Sequence, residues 1–265
     1  MNVRMNLVQW SLAMLPFWAM AQPKQLMTSA RPNSVLPASN TKTTKESNTA
    51  KVETDATVSE VVVSINILPL FGERAKTAEQ IDQEIHFLND CDRNFGSRTE
   101  ASDFFAARGW DYVADGQLDT AAYRFNLAWL LNNQNSDAYW GLGVVCYQKE
   151  NLPDAIRMLK RGLAVSDTNT VLMTDLATVQ IKYYQEKADS ADLVEAEQNL
   201  QKSLAIGPAS AVAYQKLSLV NFLKADYEQA WEYFHQANNL DFSVLDLTYL
   251  NDLLSKRPDP KGVFK

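Results

Sequence analysis

Cysteine and histidine, the side chains of this sequence best suited to nucleophilic or metal chemistry, are rare. Cys91 lies between Asp90 and Asp92, and flanking carboxylates raise the pKa of a thiol and reduce its reactive thiolate fraction. His86 and His235 are far apart, and neither has a Cys or His at a spacing that zinc sites use. No serine with a matching His and Asp is recognisable, and the carboxylates are those of a solvated acidic surface. We therefore expect a protein that is not an enzyme, with no metal and no cofactor.

Two glycines, Gly141 and Gly143, suggest a phosphate-binding loop. Such a loop follows a strand and needs a third glycine, but no strand-like run precedes Gly141 and Cys146 stands at the third position. The pattern therefore predicts close packing between helices instead.

The overall composition favours a helical protein. With 265 residues, 46% of them hydrophobic, the chain has ample material for a core, and its 9 glycines leave few residues suited to the tight turns of a many-stranded fold. The formal net charge is −7. Because a negative surface repels phosphate backbones, nucleic acid is not an expected ligand.

The first 21 residues are typical of a secretory signal. They contain Arg4, an apolar stretch and the small-x-small ending Ala19-Met20-Ala21, which predicts cleavage after Ala21. A membrane anchor is the alternative, but about 15 apolar residues reach about 22 Å as a helix, short of the roughly 30 Å hydrocarbon core. We expect an exported, periplasmic protein with no membrane attachment after cleavage.

Three segments connect this signal to the rest of the chain. Residues 22–56 are rich in Ser, Thr, Asn, Pro and Lys and have no aromatics, which predicts a disordered linker. Residues 57–75 form an extended apolar segment whose strand-like patch, 58–71, must lie against helices, a partner or a second copy. Residues 76–101 contain a flanking helix that begins with a capping box at Thr77-Ala78-Glu79-Gln80. Its apolar residues Ile81, Ile85 and Leu88 share one face.

The two cysteines, Cys91 and Cys146, are expected to be buried free thiols, since Cys146 lies in a helix with an apolar face and cysteine is a good small core residue. A single disulfide between them is the alternative.

A spacing of 34 residues organises the chain after Thr99. Five pairs of similar residues are separated by this interval: Phe105 and Tyr139, Gly109 and Gly143, Ala121 and Ala155, Phe125 and Leu159, Ala128 and Gly162. Small residues such as Gly143 and Ala155 allow two antiparallel helices to approach closely. Each pair of helices leaves an apolar face that the next pair covers, so the pattern predicts a stack of helix pairs.

These residues resemble the tetratricopeptide repeat family. The resemblance implies an all-α, right-handed superhelical solenoid of about four helix pairs over residues 102–244, with an N-terminal flanking helix and a C-terminal capping helix and tail in residues 245–265. The third repeat has 41 residues instead of 34, which predicts longer helices, with Asp189 or Ser190 capping the second of them.

In this family the first helix of each pair lines a concave groove, which implies where a partner binds. The groove-facing residues by repeat register are Trp110, Trp140, Val144, Tyr147, Thr174, Thr178, Ile181, Leu219 and Phe222. This lining is largely aromatic and apolar, and it lacks the Lys and Asn with which related co-chaperones hold a peptide carboxylate. The alternative is that a neighbouring helix covers some of these residues.

We therefore expect a non-enzymatic scaffold or adaptor of the bacterial envelope that binds a protein or peptide, with Trp110, Trp140 and Tyr147 as its main contacts. An open apolar groove needs an occupant, which is either a partner segment or the chain's own residues 58–71. Self-association through the groove, and an enzymatic site outside the repeats, are the alternatives that the sequence leaves open.

Overall fold

The computed structural model describes residues 64–265; the predicted signal, the linker and residues 57–63 lie outside the described residues. The described part is all-helical and contains no strand. Its helices are α1 Ala78–Asn94, α2 Arg98–Ala114, α3 Leu118–Leu131, α4 Ser136–Gln148, α5 Leu152–Val165, α6 Thr170–Lys187, α7 Ser190–Ile206, α8 Ala211–Leu223, α9 Tyr227–Leu240 and α10 Leu247–Lys256. No helix in this range is both long enough and apolar enough to cross a bilayer.

Side-chain caps determine where most of these helices begin. The Thr77 side chain accepts from Gln80 N at 3.2 Å, and the Gln80 side chain accepts from Thr77 N at 2.9 Å, so the predicted capping box is formed. At the start of α7 the Asp189 side chain accepts from Ala191 N at 2.9 Å, so Asp189 is the cap rather than Ser190.

Four helix pairs, α2–α3, α4–α5, α6–α7 and α8–α9, follow one another and pack in chain order. A Cβ on Gly143 would lie 2.6 Å from Leu159 Cγ, and a Cβ on Gly141 would lie 2.1 Å from Phe125 Cζ. The absence of a side chain at these glycines is therefore what lets neighbouring helices touch. The interpretation of Gly141 and Gly143 as packing residues is confirmed.

The third pair is longer than the second, as its sequence length predicts. Helices α6 and α7 contain 18 and 17 residues, whereas α4 and α5 contain 13 and 14. The extra residues lengthen both helices on either side of Ala188, which ends α6 in the left-handed conformation.

Before α1, residues 64–73 form two short 3-10 helices, Ile65–Ile67 and Pro69–Glu73, instead of the strand suggested by residues 58–71. We call residues 64–73 the strap. Apolar side chains of the strap and of α1 join one buried cluster with α2 and α3, in which the Phe87 ring lies 5.3 Å from the Phe105 ring. The first helix pair is thus covered on this side.

At the other end α10 and the following tail cover the last helix pair. Tyr249, Leu250 and Leu253 of α10 are buried against α9. The tail turns back over α9, where the Phe264 ring stacks 6.2 Å from the Trp231 ring. The last helix pair therefore has its own covering segment.

Candidate functional site

The first helices of the pairs, α2, α4, α6 and α8, carry the residues that the sequence placed in an open groove. The structure divides these residues into two groups. Five are buried, namely Trp140, Val144, Tyr147, Thr174 and Ile181. Four are half-buried, namely Trp110, Thr178, Leu219 and Phe222. The expectation of a continuous open apolar groove is therefore wrong, and the alternative that neighbouring helices cover some of its residues applies to the first group.

The side formed by the first helices α2, α4, α6 and α8 is called the inner surface here. Trp140 shows why little of this surface is open to solvent. Its indole N–H donates to Asp175 Oδ2 of α6 at 2.8 Å, and its ring meets the Trp110 ring of α2 edge to face at 5.1 Å between centroids. One side chain therefore joins the first helices of three successive pairs. Trp140 is only 8% exposed, so it shapes the inner surface and offers little area to a partner.

Tyr147 is covered in a similar way from the next pair. The Lys182 ammonium of α6 lies 5.0 Å from the centre of the Tyr147 ring. Burial raises the pKa of Tyr147, and the nearby carboxylates of Asp175 and Glu186 add to this increase. The phenol is therefore uncharged at neutral pH, and its ring lies beneath the half-buried Lys182.

The inner surface is polar toward its C-terminal part. Burial lowers the pKa of Lys216 on α8, while the carboxylates of Asp246 and Asp175 oppose that shift. A charged group at this depth needs such carboxylate neighbours. The inner surface of α6 and α8 is thus charged around Lys216 and Asp175.

Leu219 and Phe222 are half-covered by the capping segment. The Phe222 ring lies 5.5 Å from the ring of Tyr249 on α10, and the Tyr249 hydroxyl lies 2.6 Å from Ser218 Oγ. Burial raises the pKa of Tyr249. Of the residues predicted to line the groove, Trp110 and Thr178 are thus the ones that remain partly accessible and are not covered by α10.

The strap occupies a site that the sequence did not predict, on the second helices of the pairs. Asn126 of α3 is completely buried. Its Oδ1 accepts from Leu70 N at 2.8 Å, and its Nδ2 donates to the backbone oxygens of Asn66 and Leu68, both at 2.8 Å. One side-chain amide therefore satisfies three backbone groups of the strap. The available signal was a lone polar residue in the apolar run Phe125–Leu131.

A second contact joins the strap to α5. The Glu73 carboxylate forms ion pairs with Arg157 and, at 2.6 Å, with Arg161. Leu70 and Phe71 are buried although both have positive φ angles, 54° and 55°. Backbone in this region is strained for such residues, and burial together with the Asn126 and arginine contacts offsets the strain. The described part of residues 58–71 thus docks on α3 through Asn126, and Glu73, just beyond it, contacts α5. This part of the chain therefore does not lie in the groove of the first helices.

Neither cysteine has an activated setting. Burial raises the pKa of the Cys91 thiol, and the carboxylates of Asp92 and Asp90 raise it further, in the direction that the sequence predicts. Burial also raises the pKa of Cys146, to about 12. Both cysteines are buried free thiols in the structure. Among residues 64–265 no group of three or more His, Cys, Asp or Glu side chains is placed to hold a metal ion.

A cavity between the strap, α1 and α3 measures about 70 Å³ and has Phe71, Phe87 and Leu127 in its lining. Sites for small-molecule ligands usually enclose about 300–1,000 Å³. This cavity is therefore too small to hold such a ligand.

Comparisons with known proteins agree with this architecture. Residues 112–181, from α2 to α6, match the family model of the tetratricopeptide repeat. No curated protein matches the chain. Among solved structures, PilF of Pseudomonas aeruginosa is 22% identical, with a TM-score of 0.52 over 63% of this chain and 79% of that chain. PilW, described as a type IV pilus biogenesis factor, is 16% identical, with a TM-score of 0.51 over 71% of this chain and 90% of that chain. At these identities the similarity shows the fold alone.

Proposed function

The chain is a tetratricopeptide repeat protein, and we propose that it is a non-enzymatic scaffold whose inner surface binds an extended protein segment next to Trp110. Folds of this kind serve generally as protein-interaction scaffolds. Envelope location and the binding residues are part of the proposal. The enzymatic alternative is not adopted, because burial raises the pKa of both cysteine thiols and so keeps them in the unreactive protonated form.

The observation that supports this site is the packing of Trp110. Its ring is half-buried and held edge to face by Phe125 at 5.2 Å and by Trp140 at 5.1 Å. A partly accessible aromatic ring fixed by buried neighbours loses little conformational entropy when a partner covers it. Trp110 is therefore a suitable anchor, whereas Trp140 and Tyr147 provide its support.

The surroundings indicate which ligand would fit. Thr178 and Lys182 are half-buried on α6, the first helix of the third pair. The ammonium group of Lys182 lies above the Tyr147 ring. A segment with an apolar side chain for Trp110 and a carboxylate for Lys182 would use both. Leu219 and Phe222 extend this surface only where α10 leaves them uncovered.

The experiment is selection from a library of random 12-residue peptides, followed by fluorescence anisotropy with the selected peptides. We expect Trp110→Ala to weaken binding at least about tenfold, a typical hot-spot loss. Trp129→Ala is the matched control, since Trp129 is also half-buried but lies on the second helix α3. Equal affinities for wild type and Trp110→Ala, or an equal loss in Trp129→Ala, would show that the inner surface is not the binding site.

We also infer that the protein is exported, on the basis of the signal-like pattern in residues 1–21. N-terminal sequencing of the protein from its native cells tests this inference. A mature chain beginning at Gln22 in the periplasmic fraction is the expected result. An intact N-terminus in the cytoplasmic fraction would contradict it.

A further inference from the structure

The surface beneath the strap has the features of a peptide-binding site. Asn126 of α3 hydrogen-bonds to backbone atoms of the strap: its Oδ1 accepts from Leu70 N, and its Nδ2 donates to the carbonyl oxygens of Asn66 and Leu68. Every residue type supplies a carbonyl oxygen, and every type except proline supplies an N–H. Asn126 is therefore able to hold other peptide sequences in the same way.

Two arginines give this surface a preference for negative charge. Glu73, the last residue of the strap, forms ion pairs with Arg157 and Arg161 of α5. The two arginine side chains are 37% and 42% exposed, so a carboxylate that arrives from solvent can reach them. Within residues 64–265, Glu73 is the one carboxylate in an ion pair with Arg161. The surface is therefore suited to an acidic segment.

The strap is strained where it turns back toward α1. Residues 70–73 all have positive φ angles, between 51° and 70°, and Gly72 alone among these four is suited to them. The turn brings the Lys76 ammonium to 4.8 Å from the centre of the Phe71 ring. The chain has to turn here because α1 begins at Ala78, five residues after the strap ends. A segment of a separate molecule is not joined to α1, so it does not have to make this turn.

The strap also leaves part of the surface unfilled. The cavity of about 70 Å³ lies beside Ile65 and Phe71 of the strap and against Phe87 of α1 and Leu127 of α3. This space exceeds what one water molecule needs, and the side chains around it lack dispersion contacts on that side. A side chain bulkier than Ile65 would supply some of these contacts. The strap is therefore an imperfect occupant, both in its strained turn and in its incomplete filling.

We propose that this surface binds an acidic apolar segment of another protein, and that the strap occupies it until such a segment displaces the strap. We call the surface the strap site; it consists of Asn126, of Phe87 and Leu127 beside the cavity, and of Arg157 and Arg161. The segment that fits supplies backbone groups to Asn126, a large apolar side chain to the cavity and a carboxylate to the arginines.

The two defects of the strap favour a different protein over a second copy as the occupant. The strap of a second copy has the same Ile65 and the same short connection to α1, so it would fill the site no better than the strap already there. The strap site is formed by α1, α3 and α5 and does not include Trp110. It therefore goes beyond the proposed function and does not depend on it.

The test is the binding of a fluorescein-labelled peptide to the full chain, measured by fluorescence anisotropy. The peptide has the sequence of residues 64–73 with Ile65→Phe. We expect the protein variant Glu73→Gln to bind it at least about threefold more tightly than the wild type, because the strap loses its exposed ion pairs while the strap site stays intact. Equal affinities, or no binding to Glu73→Gln at about 1 mM peptide, would overturn the proposal.

A change in the peptide itself tests the contact with Asn126 without altering the strap. N-methylation of Leu70 in the peptide removes the N–H that Asn126 Oδ1 accepts. We expect this peptide to bind at least about tenfold more weakly, since a buried acceptor is left without its donor. Equal binding of the two peptides would show that the peptide does not lie on Asn126 and would contradict the proposal.

A charge reversal tests the contact with the arginines. The wild type should bind the peptide at least about tenfold more tightly than the same peptide with Glu73→Lys, and Arg157→Glu/Arg161→Glu should reverse this order. Because both peptides compete with the same strap, their ratio reports the site alone. The matched control Lys187→Glu/Lys202→Glu changes the net charge equally at exposed positions of α6 and α7 and should keep the wild-type order. An unchanged order in the arginine variant, or a reversed order in the control, would overturn the proposal.

Analytical ultracentrifugation distinguishes the other occupant. The wild type should remain a monomer with and without the peptide. A wild-type dimer that the peptide dissociates would assign the strap site to the strap of a second copy and would overturn the proposal. Thermal unfolding of every variant checks that the fold is retained.

Discussion

Helices α4 and α1 differ sharply in how much of each is buried. Ten of the thirteen residues of α4 are buried, whereas Cys91 is the single buried residue among the seventeen of α1. Helix α4 packs against α2, α3 and α5, and Trp140 also reaches Asp175 on α6. Within residues 64–265, helix α1 has close neighbours on one side only, in the strap and the first helix pair.

The position of a helix in the stack therefore decides how much of it is buried. A helix that is apolar on nearly all sides is stable only with neighbours all around it, as α4 has. An amphipathic helix such as α1 can end a stack because its outer side tolerates water. Substitutions in α4 should therefore cost much more unfolding free energy than substitutions on the outer side of α1.

Trp140→Ala should have the largest effect. It removes a buried ring and leaves the Asp175 carboxylate without the indole N–H, so we expect a loss of about 3–5 kcal/mol in the free energy of unfolding. Urea denaturation followed by circular dichroism measures this loss. A loss below about 1 kcal/mol would mean that Trp140 is a surface residue after all.

Gly141→Ala should be the next most damaging change. The added methyl group would lie 2.1 Å from Phe125 Cζ, and such overpacking costs about 3 kcal/mol. Gly207→Ala is the control, because its nearest neighbour would be 3.7 Å away. If the two alanine variants have equal unfolding midpoints, close approach at Gly141 does not determine the packing of α4.

Asn126→Leu should weaken the strap, at a cost of about 2 kcal/mol. The substitution keeps a similar side-chain volume but removes the three hydrogen bonds to Asn66, Leu68 and Leu70. Trypsin cleavage after Arg74, at the end of the strap, should become faster. The exposed Asn133 provides the control Asn133→Leu, which should be cleaved like the wild type. Unchanged cleavage in Asn126→Leu would show that the amide does not hold the strap.

The stability that the C-terminal tail adds to the protein should depend on pH, because Asp259 holds the tail in place. Burial raises the pKa of this carboxyl group, but hydrogen bonds from Phe264 N, Lys261 N and His235 outweigh burial and hold the pKa below its usual value. The resulting stabilisation is present above the unfolded-state pKa of about 4 and is lost as the pH falls through the lower folded-state pKa.

Thermal unfolding from pH 7 to pH 2 measures this dependence. Asp259→Asn should unfold at a lower temperature than the wild type at pH 7, and the difference should shrink as the wild-type carboxyl group becomes protonated. A constant difference over the whole range would exclude the carboxylate as its cause.

Ile85→Ser, on the outer side of α1, should have the smallest effect. Its side chain is 51% exposed, so the loss of unfolding free energy should stay below about 0.5 kcal/mol in dilute solution. Urea denaturation at low protein concentration is the measurement. A loss approaching that of Gly141→Ala would mean that α1 and α4 do not differ in how much their substitutions destabilise the fold.

The sequence predicted the repeat and its departures well, because these are local features. The capping box at Thr77, the longer third pair and the packing role of Gly143 follow from residue types at short spacing, and the structure contains all three. The exposure of groove residues was predicted less well. Trp110 and Trp140 were both predicted to face the groove, yet the first is half-buried and the second is buried.

The sequence by itself therefore determined which segments are helices and that they pack as a row of pairs, since caps, small residues and apolar spacing act within one pair or between adjacent pairs. The tertiary structure decided which inner side chains reach water, because that depends on how closely successive first helices approach one another. It also decided where the strap and the tail dock. Asn126 binds residues 66–70, and His235 binds Asp259, through contacts between positions that no sequence period relates.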